Sequence, residues 1–175
     1  MSWANLIFFI VWVIVATAAW AGWSAAPWVP SRSKYRKLFL GKINIQPGQI
    51  IYDLGCGTGT VLFEIAKHEP NAKIIGYEIS ILPYLIAKIK AKSYKNVSVR
   101  YGNLFKQDLN DADVIFVFLL TKAYERLSKQ FAGKIKDDCL VAFEAWPIPG
   151  NEPYQIIREE DILPIFVYKG SQFRK

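Results

Sequence analysis

Histidine occurs once in this chain and cysteine only twice. That is too few ligands for a zinc or iron–sulfur centre, and it leaves no disulfide framework, so no metal is expected. There is no internal repeat and no low-complexity tract. Charge is missing altogether from residues 1–31, and no Asp or Glu precedes Asp53. Only one stretch is long and apolar enough to span a bilayer, which excludes a polytopic membrane protein. What remains is a chain of 175 residues, 52% hydrophobic and 21% charged. That is one domain of ordinary size, or a small domain with an appendage, and it is too apolar for a disordered chain. The net charge of +7 is compatible with acidic neighbours without naming one.

The uncharged run comes first. Residues 3–23 read WANLIFFIVWVIVATAAWAGW. As a helix they would extend roughly 31 Å, against a bilayer core of about 30 Å. Trp3, Trp20, Trp23 and Trp28 flank the run, where an aromatic belt sits. Arg32, Lys34, Arg36, Lys37 and Lys42 follow, and the positive-inside rule puts the N-terminus outside and the remainder in the cytoplasm. We read a retained single-pass anchor. A cleaved signal peptide competes, because Ala21, Gly22, Ser24, Ala25 and Ala26 offer a cleavage site, but no Lys or Arg precedes this long run. A buried core helix is the third reading, against which the run is apolar on every face. Pro27 and Pro30 end the helix, so residues 26–32 (APWVPSR) form an extended connector. Residues 35–40 are either a short basic helix on the membrane surface or a linker helix of the soluble domain. The domain plan is an anchor at 1–28, a basic connector at 29–48 and a ligand-binding domain at 49–175.

From residue 49 strand and helix signals alternate. Residues 49–55 (QIIYDLG), 73–79 (KIIGYEI), 96–102 (NVSVRYG), 113–120 (DVIFVFLL) and 139–146 (CLVAFEAW) read as strands. Residues 162–170 (ILPIFVYKG) form a last β element, interrupted by Pro164. Helical spacing connects Val61, Leu62, Ile65 and Ala66, and again Tyr124, Leu127, Phe131 and Ile135. Between these, Leu82, Leu85, Ile86 and Ile89 share one helical face, with Lys88 and Lys92 turned away. This alternation predicts an α/β, Rossmann-like, doubly wound and mostly parallel sheet, with an N-terminal transmembrane helix in front of it. Such sheets bind ligands at the C-terminal ends of their strands.

The residues at those ends are informative. The first strand runs into Asp53, Leu54, Gly55, Cys56, Gly57, Thr58 and Gly59, and a helix follows at once. Glycines there permit positive φ and a close approach of backbone to ligand, and the helix start presents free amides. The last glycine of the dinucleotide fingerprint is missing, no Gly-Lys-Ser/Thr follows, and Asp53 would repel a pyrophosphate. A ligand with a cationic portion and no phosphate fits better, and S-adenosylmethionine meets that demand. Asp53 can meet its amino group. Glu78, 25 residues on, ends the second strand with Ile79 behind it, where an acid accepts ribose hydroxyls. Gly102, Asn103, Leu104 and Phe105 end the third strand, with Asn103 for the adenine edge and Leu104 or Phe105 for its face. Singly these are also a tight turn, a helix-capping acid and a turn residue. Cys56 reads as a small filler of the loop, Cys139 as a core residue and His68 as solvated.

DLGCGTG, GYE and GNLF resemble the signature of class I, seven-strand methyltransferases over residues 49–145. With the apolar N-terminus and APWVPS, the likeness widens. The chain then resembles the membrane-anchored protein-lysine methyltransferases, which in mitochondria act on the adenine nucleotide translocase and the ATP synthase c-subunit and which have prokaryotic relatives. That resemblance implies S-adenosylmethionine as cofactor, a protein substrate and a mitochondrial inner membrane location in a eukaryote. Thr58, Gly59 and Thr60 depart from the family's Asp-Gly-Arg, and Asn103 replaces an acid. The tail after the fifth strand looks short for a seven-strand sheet.

Lysine must lose a proton before it attacks a methyl group. Glu144, near the end of the fifth strand, is placed to help. Trp146 is placed to line a channel for the alkylammonium chain, and Thr121 is a further candidate. The plainer reading of Glu144 and Trp146 is a strand-end acid and a core-edge aromatic. Residues 79–107 carry six basic side chains and no acid, a run that could lie on anionic lipid or be simply solvated. A lipid or quinone head-group methyltransferase and a non-catalytic adaptor are the competing functions. No nucleic-acid partner is expected, since no RNA-binding module is visible. Deleting residues 1–28 is expected to release the protein from membranes and to leave cofactor binding intact.

Overall fold

A computed structural model describes residues 2–26 and 31–174. Pro27, Trp28 and Pro30 lie outside the described residues, and with them the middle of the connector read from the sequence.

Four consecutive buried residues, Val114 to Val117, form β4 at the centre of the sheet. Both of its faces are covered, so its sequence is apolar without alternation. Beside it lie β1 (Ile50–Leu54) and β5 (Leu140–Glu144), both parallel to it. Outward from β1 come β2 (Lys73–Glu78) and β3 (Val97–Tyr101), also parallel. Beyond β5 come β7 (Ile162–Lys169) and then β6 (Gln155–Glu159), joined as an antiparallel hairpin. The seven strands stand in the order β3-β2-β1-β4-β5-β7-β6.

Strand β6 is absent from the sequence reading, and it completes the sheet. Only Ile157 of its five residues is buried, so no period-2 pattern marks it. The hairpin turns through Glu160 and Asp161, with Asp161 at φ 58° and no glycine to announce it. Pro164 does not interrupt β7. The register shift between Ile157 and Glu159 leaves β7 with the extra residue, so a residue without an amide hydrogen sits in a bulge.

Successive residues of the strands feed opposite layers. Tyr52, Ile115, Val117, Val141 and Phe143 meet α5 (Tyr124–Phe131) on one face. Ile51, Val114, Phe116 and Ala142 meet α2 (Ser33–Lys42), α3 (Thr60–His68) and α4 (Ile81–Ala91) on the other. Of the two readings of residues 35–40, the structure takes the linker helix. Tyr35, Leu38 and Phe39 of α2 are buried, and Phe39 meets Phe116 edge to face at 5.1 Å.

The apolar face read in α4 is not the one it buries. Its buried face is Pro83, Ala87 and Ala91, small residues that let the helix sit close to the sheet. Leu82, Leu85 and Ile89 are instead 47%, 48% and 65% exposed. The apolar N-terminal run forms α1 (Trp3–Ser24), with Ser2 capping its start. Among the described residues it is the one helix long and apolar enough to cross a membrane.

Candidate functional site

The strand order reverses between β1 and β4, which opens a crevice at the C-terminal ends of the sheet. The chain leaves β1 through a turn that glycine makes affordable: Gly55, Gly57 and Gly59 have φ of 87°, 54° and 79°. Gly59 sits at the N-cap of α3, and among the described residues no side chain caps that helix start. Its first residues, Thr60 and Val61, face the cleft.

Glu78 holds this turn in place. Its Oε2 accepts from the Gly57 amide at 2.8 Å, and its Oε1 accepts from the amides of Ile79 (2.9 Å) and Ser80 (2.7 Å). Three of the carboxylate's roughly four acceptor positions are therefore taken. The expectation that Glu78 accepts both ribose hydroxyls meets a carboxylate with room for one.

Asp53 is buried in the cleft wall, and its Oδ2 has no hydrogen-bond partner among the described residues. Burial, then the nearby Glu78 and Glu144, push its carboxyl up to about 8. A carboxylate in this position lacks a cation. Burial also raises the Cys56 thiol well above its ordinary value, consistent with a filler of the loop. At the end of β3, Asn103 Oδ1 accepts from the Phe105 amide at 3.0 Å and keeps a second lone pair. Asn103, Leu104 and Phe105 line one side of the cleft.

Eight of the residues expected to hold a cofactor thus line one cleft: Asp53, Gly55, Cys56, Gly57, Glu78, Ile79, Asn103 and Leu104. Gly59 lies behind the wall, as the N-cap of α3. The three residues expected near the acceptor do not line it. Thr121 is exposed at the start of a short 3-10 turn (Thr121–Ala123). Trp146 is 41% exposed at the surface. Glu144 is fully buried and reaches the cleft only through Ser31, whose hydroxyl donates to its Oε2 at 2.8 Å. Burial pushes the Glu144 carboxyl up to about 7, opposed by the Ser31 hydrogen bond and by Arg36. The Arg36 guanidinium donates to the Ser31 carbonyl and to Glu64 Oε1. Ala145, next to Glu144, holds a φ of 82°, a left-handed conformation unusual for a residue with a Cβ.

No sequence signal marks the remaining wall. Ala21, Ser24, Ala25, Ala26 and Ser31 close the cleft from the side of α1. The Leu120 amide donates to the Ala25 carbonyl, and Lys122 Nζ donates to the Gly22 carbonyl at 2.8 Å. A lysine on the final carbonyls of a helix also complements its dipole. Small residues at the end of an apolar run read as helix and nothing more, since no motif marks their docking.

Four matches relate the chain to known proteins. The profile of the ANTKMT methyltransferase domain matches residues 53–155. A protein-lysine N-methyltransferase of Saccharolobus islandicus is 31% identical over 140 residues, which covers 77% of this chain and 86% of that protein. Among solved structures, an RNA methyltransferase of Salinibacter ruber in complex with S-adenosyl-L-homocysteine superimposes with a TM-score of 0.75 at 22% identity, over 81% of this chain and 93% of that one. Coclaurine N-methyltransferase bound to N-methylheliamine and S-adenosyl-L-homocysteine gives a TM-score of 0.55 at 23% identity, over 63% of this chain and 34% of that one.

Proposed function

Because this chain belongs to the ANTKMT methyltransferase domain family and is an S-adenosylmethionine-dependent methyltransferase, we propose that it methylates lysine side chains of a membrane protein while anchored in the same bilayer. The observation that carries this reading is the position of α1. An apolar helix of 22 residues ends in the wall of the cofactor cleft. If that helix crosses the membrane, an acceptor at the cleft lies close to the bilayer surface, within reach of a lysine that borders a transmembrane segment. The anchor also raises the effective concentration of such targets. The curated lysine methyltransferase that this chain resembles supports the choice of acceptor.

The chain is proposed to divide into an anchor at 1–28 and a catalytic domain at 49–175, with the helix of the 29–48 connector packed onto that domain. Arg32, Lys34, Arg36, Lys37 and Lys42 argue for a cytoplasmic catalytic domain, or a mitochondrial inner membrane location in a eukaryote.

When bound, S-adenosylmethionine supplies an electrophilic methyl group on its sulfonium. The unpartnered Asp53 carboxylate fits its ammonium, and the free lone pair of Glu78 fits a ribose hydroxyl. Gly55, Cys56, Gly57 and Gly59 shape the bed, and Ile79, Asn103 and Leu104 border the adenosine side.

The acceptor is a lysine ammonium, whose ordinary pKa of about 10.4 keeps it protonated and unreactive near neutral pH. Ser31 faces the cleft and directs its own proton at Glu144, so its lone pairs are open to the acceptor. A proton passes from the ammonium to Ser31 Oγ as the Ser31 proton passes to Glu144 Oε2. The amine is then neutral and Glu144 has been neutralised; the amine lone pair would form the new N–C bond as the methyl–sulfur bond of the sulfonium breaks and the neutral thioether leaves. Glu144 acts through Ser31, as a positioning residue and the final proton acceptor. Trp146 and Thr121, outside the cleft wall, are assigned to the approach of the acceptor chain.

The test is methyl-labelled S-adenosylmethionine given to the full-length protein with membranes of its source. The expected result is label in a protein band, recovered as methyl-lysine after hydrolysis. Label in the lipid extract alone would overturn the lysine reading in favour of a head-group substrate.

A further inference from the structure

The course of α1 beside the domain bears on more than the cleft. Trp12, Val13, Ala16, Thr17 and Trp20 enclose a groove against Ile79 and Tyr101. Thr17 Oγ1 accepts from the Ile81 amide at the start of α4, at 3.4 Å. Further along, Ala21, Ser24 and Ala25 reach the cofactor cleft. Contact with the domain therefore occupies the helix from Trp12 onward. The part before it, from Trp3 to Val11, is about 14 Å long, roughly half of a 30 Å bilayer core. A helix docked in this way cannot cross the core while the domain stays wholly in water. The flank of the domain beside α1 has to enter the membrane surface.

That flank has the chemistry for it. Leu82, Leu85 and Ile89 form an exposed apolar stripe on α4, and Tyr101 adds an exposed ring next to the groove. At about 100° per residue, Lys90 and Lys92 fall on either side of the stripe. Lys95 and Arg100 are also exposed, and residues 79–107 contain no acid. A soluble surface would not gain from three contiguous aliphatic side chains. An apolar stripe bordered by lysines is the pattern of a helix lying in the interface of an anionic bilayer.

The geometry points to α4 as a second membrane contact: Leu82, Leu85 and Ile89 enter the upper acyl region beside α1, and the flanking lysines pair with anionic lipid head groups. The contact is continuous with the apolar surface of α1. It fixes the tilt of the catalytic domain and turns the cleft, whose wall α1 forms, towards the membrane. The inference rests on the reading of α1 as an anchor.

An environment-sensitive fluorophore tests it in the full chain, reconstituted in vesicles containing phosphatidylglycerol. Cysteine is introduced singly by Leu85→Cys, Ile89→Cys, Phe9→Cys on α1, and Lys134→Cys beyond α5 on the opposite side of the sheet. The native Cys56 and Cys139 are buried, which confines labelling to the new sites. Lipids with a nitroxide high on the acyl chain should quench the probes at 85, 89 and 9, and leave the probe at 134 to an aqueous quencher. Aqueous behaviour at 85 and 89 with lipid quenching at 9 would overturn the α4 contact and leave the anchor standing. Aqueous behaviour at 9 as well would remove the anchor reading itself. Probes at 85 and 89 shielded from both quenchers would show a second copy of this chain on the stripe, which also overturns the proposal.

Discussion

Three carboxyls near the cleft differ through their surroundings. Glu78 accepts from three backbone amides and keeps one acceptor position, Asp53 is buried without a partner among the described residues, and Glu144 is buried with a single hydroxyl. Replacing Glu78 by alanine removes one hydrogen bond to the cofactor and the tie to Gly57. Glu78→Ala should weaken cofactor binding by about 1.5–3 kcal/mol, the range for a hydrogen bond to a charged group. Isothermal titration would read this as a loss of roughly 10- to 150-fold. An unchanged affinity in a folded variant would remove Glu78 from the ribose site. Glu144 predicts a pH dependence. Its carboxyl is raised to about 7 and must be ionised to take a proton. The groups facing it are Ser31, Arg36, Asp53 and Tyr124. At saturating cofactor, which keeps Asp53 paired, turnover should rise with pH through about 7. Glu144→Gln should lower turnover and abolish that limb, while a purely structural role would leave the profile's shape unchanged. Asp53, Glu78 and the glycine turn were legible in the sequence because they stand at the ends of strands that the apolar pattern marks. Ser31 was not, because its role depends on a carboxylate more than a hundred positions away.

Among the elements, α1 was expected to be separable from cofactor binding, and the structure argues otherwise. Its last turn supplies Ala21, Ser24 and Ala25 to the cleft wall, and the Gly22 and Ala25 carbonyls accept bonds from the loop after β4. Removing residues 1–28 should therefore weaken cofactor binding as well as release the protein from membranes. Affinity and vesicle flotation of the truncated chain, shown folded by circular dichroism, read the two effects separately. Undiminished affinity would mean that the wall contributes nothing. Helix α4 shows how a periodic pattern misleads. Leu82, Leu85, Ile86 and Ile89 mark a helix correctly, but periodicity does not say which apolar face turns inward. Pro83, Ala87 and Ala91 won the sheet side because a close approach favours small residues. Strand β6 escaped notice for the opposite reason, since an edge strand with one buried side chain has little pattern to show.

At the scale of the whole molecule, the strand order places the reversal between β1 and β4, and every cofactor-facing loop opens on the same end of the sheet. The reversed β7 and its partner β6 close the other edge of the sheet. The same architecture brings α1 and α4 side by side, so that anchor, cleft and apolar stripe occupy connected surfaces.

The alternation of strand and helix, the glycine turn with its acids, and the presence of one long apolar helix can all be read from the amino-acid order. These are local properties, carried by residues a few positions apart. That α1 walls the cleft, that Ser31 meets Glu144, and that the leucines of α4 face outward emerges only in the folded chain. Each of these depends on contacts between distant segments, and packing geometry chooses among them where periodicity is silent.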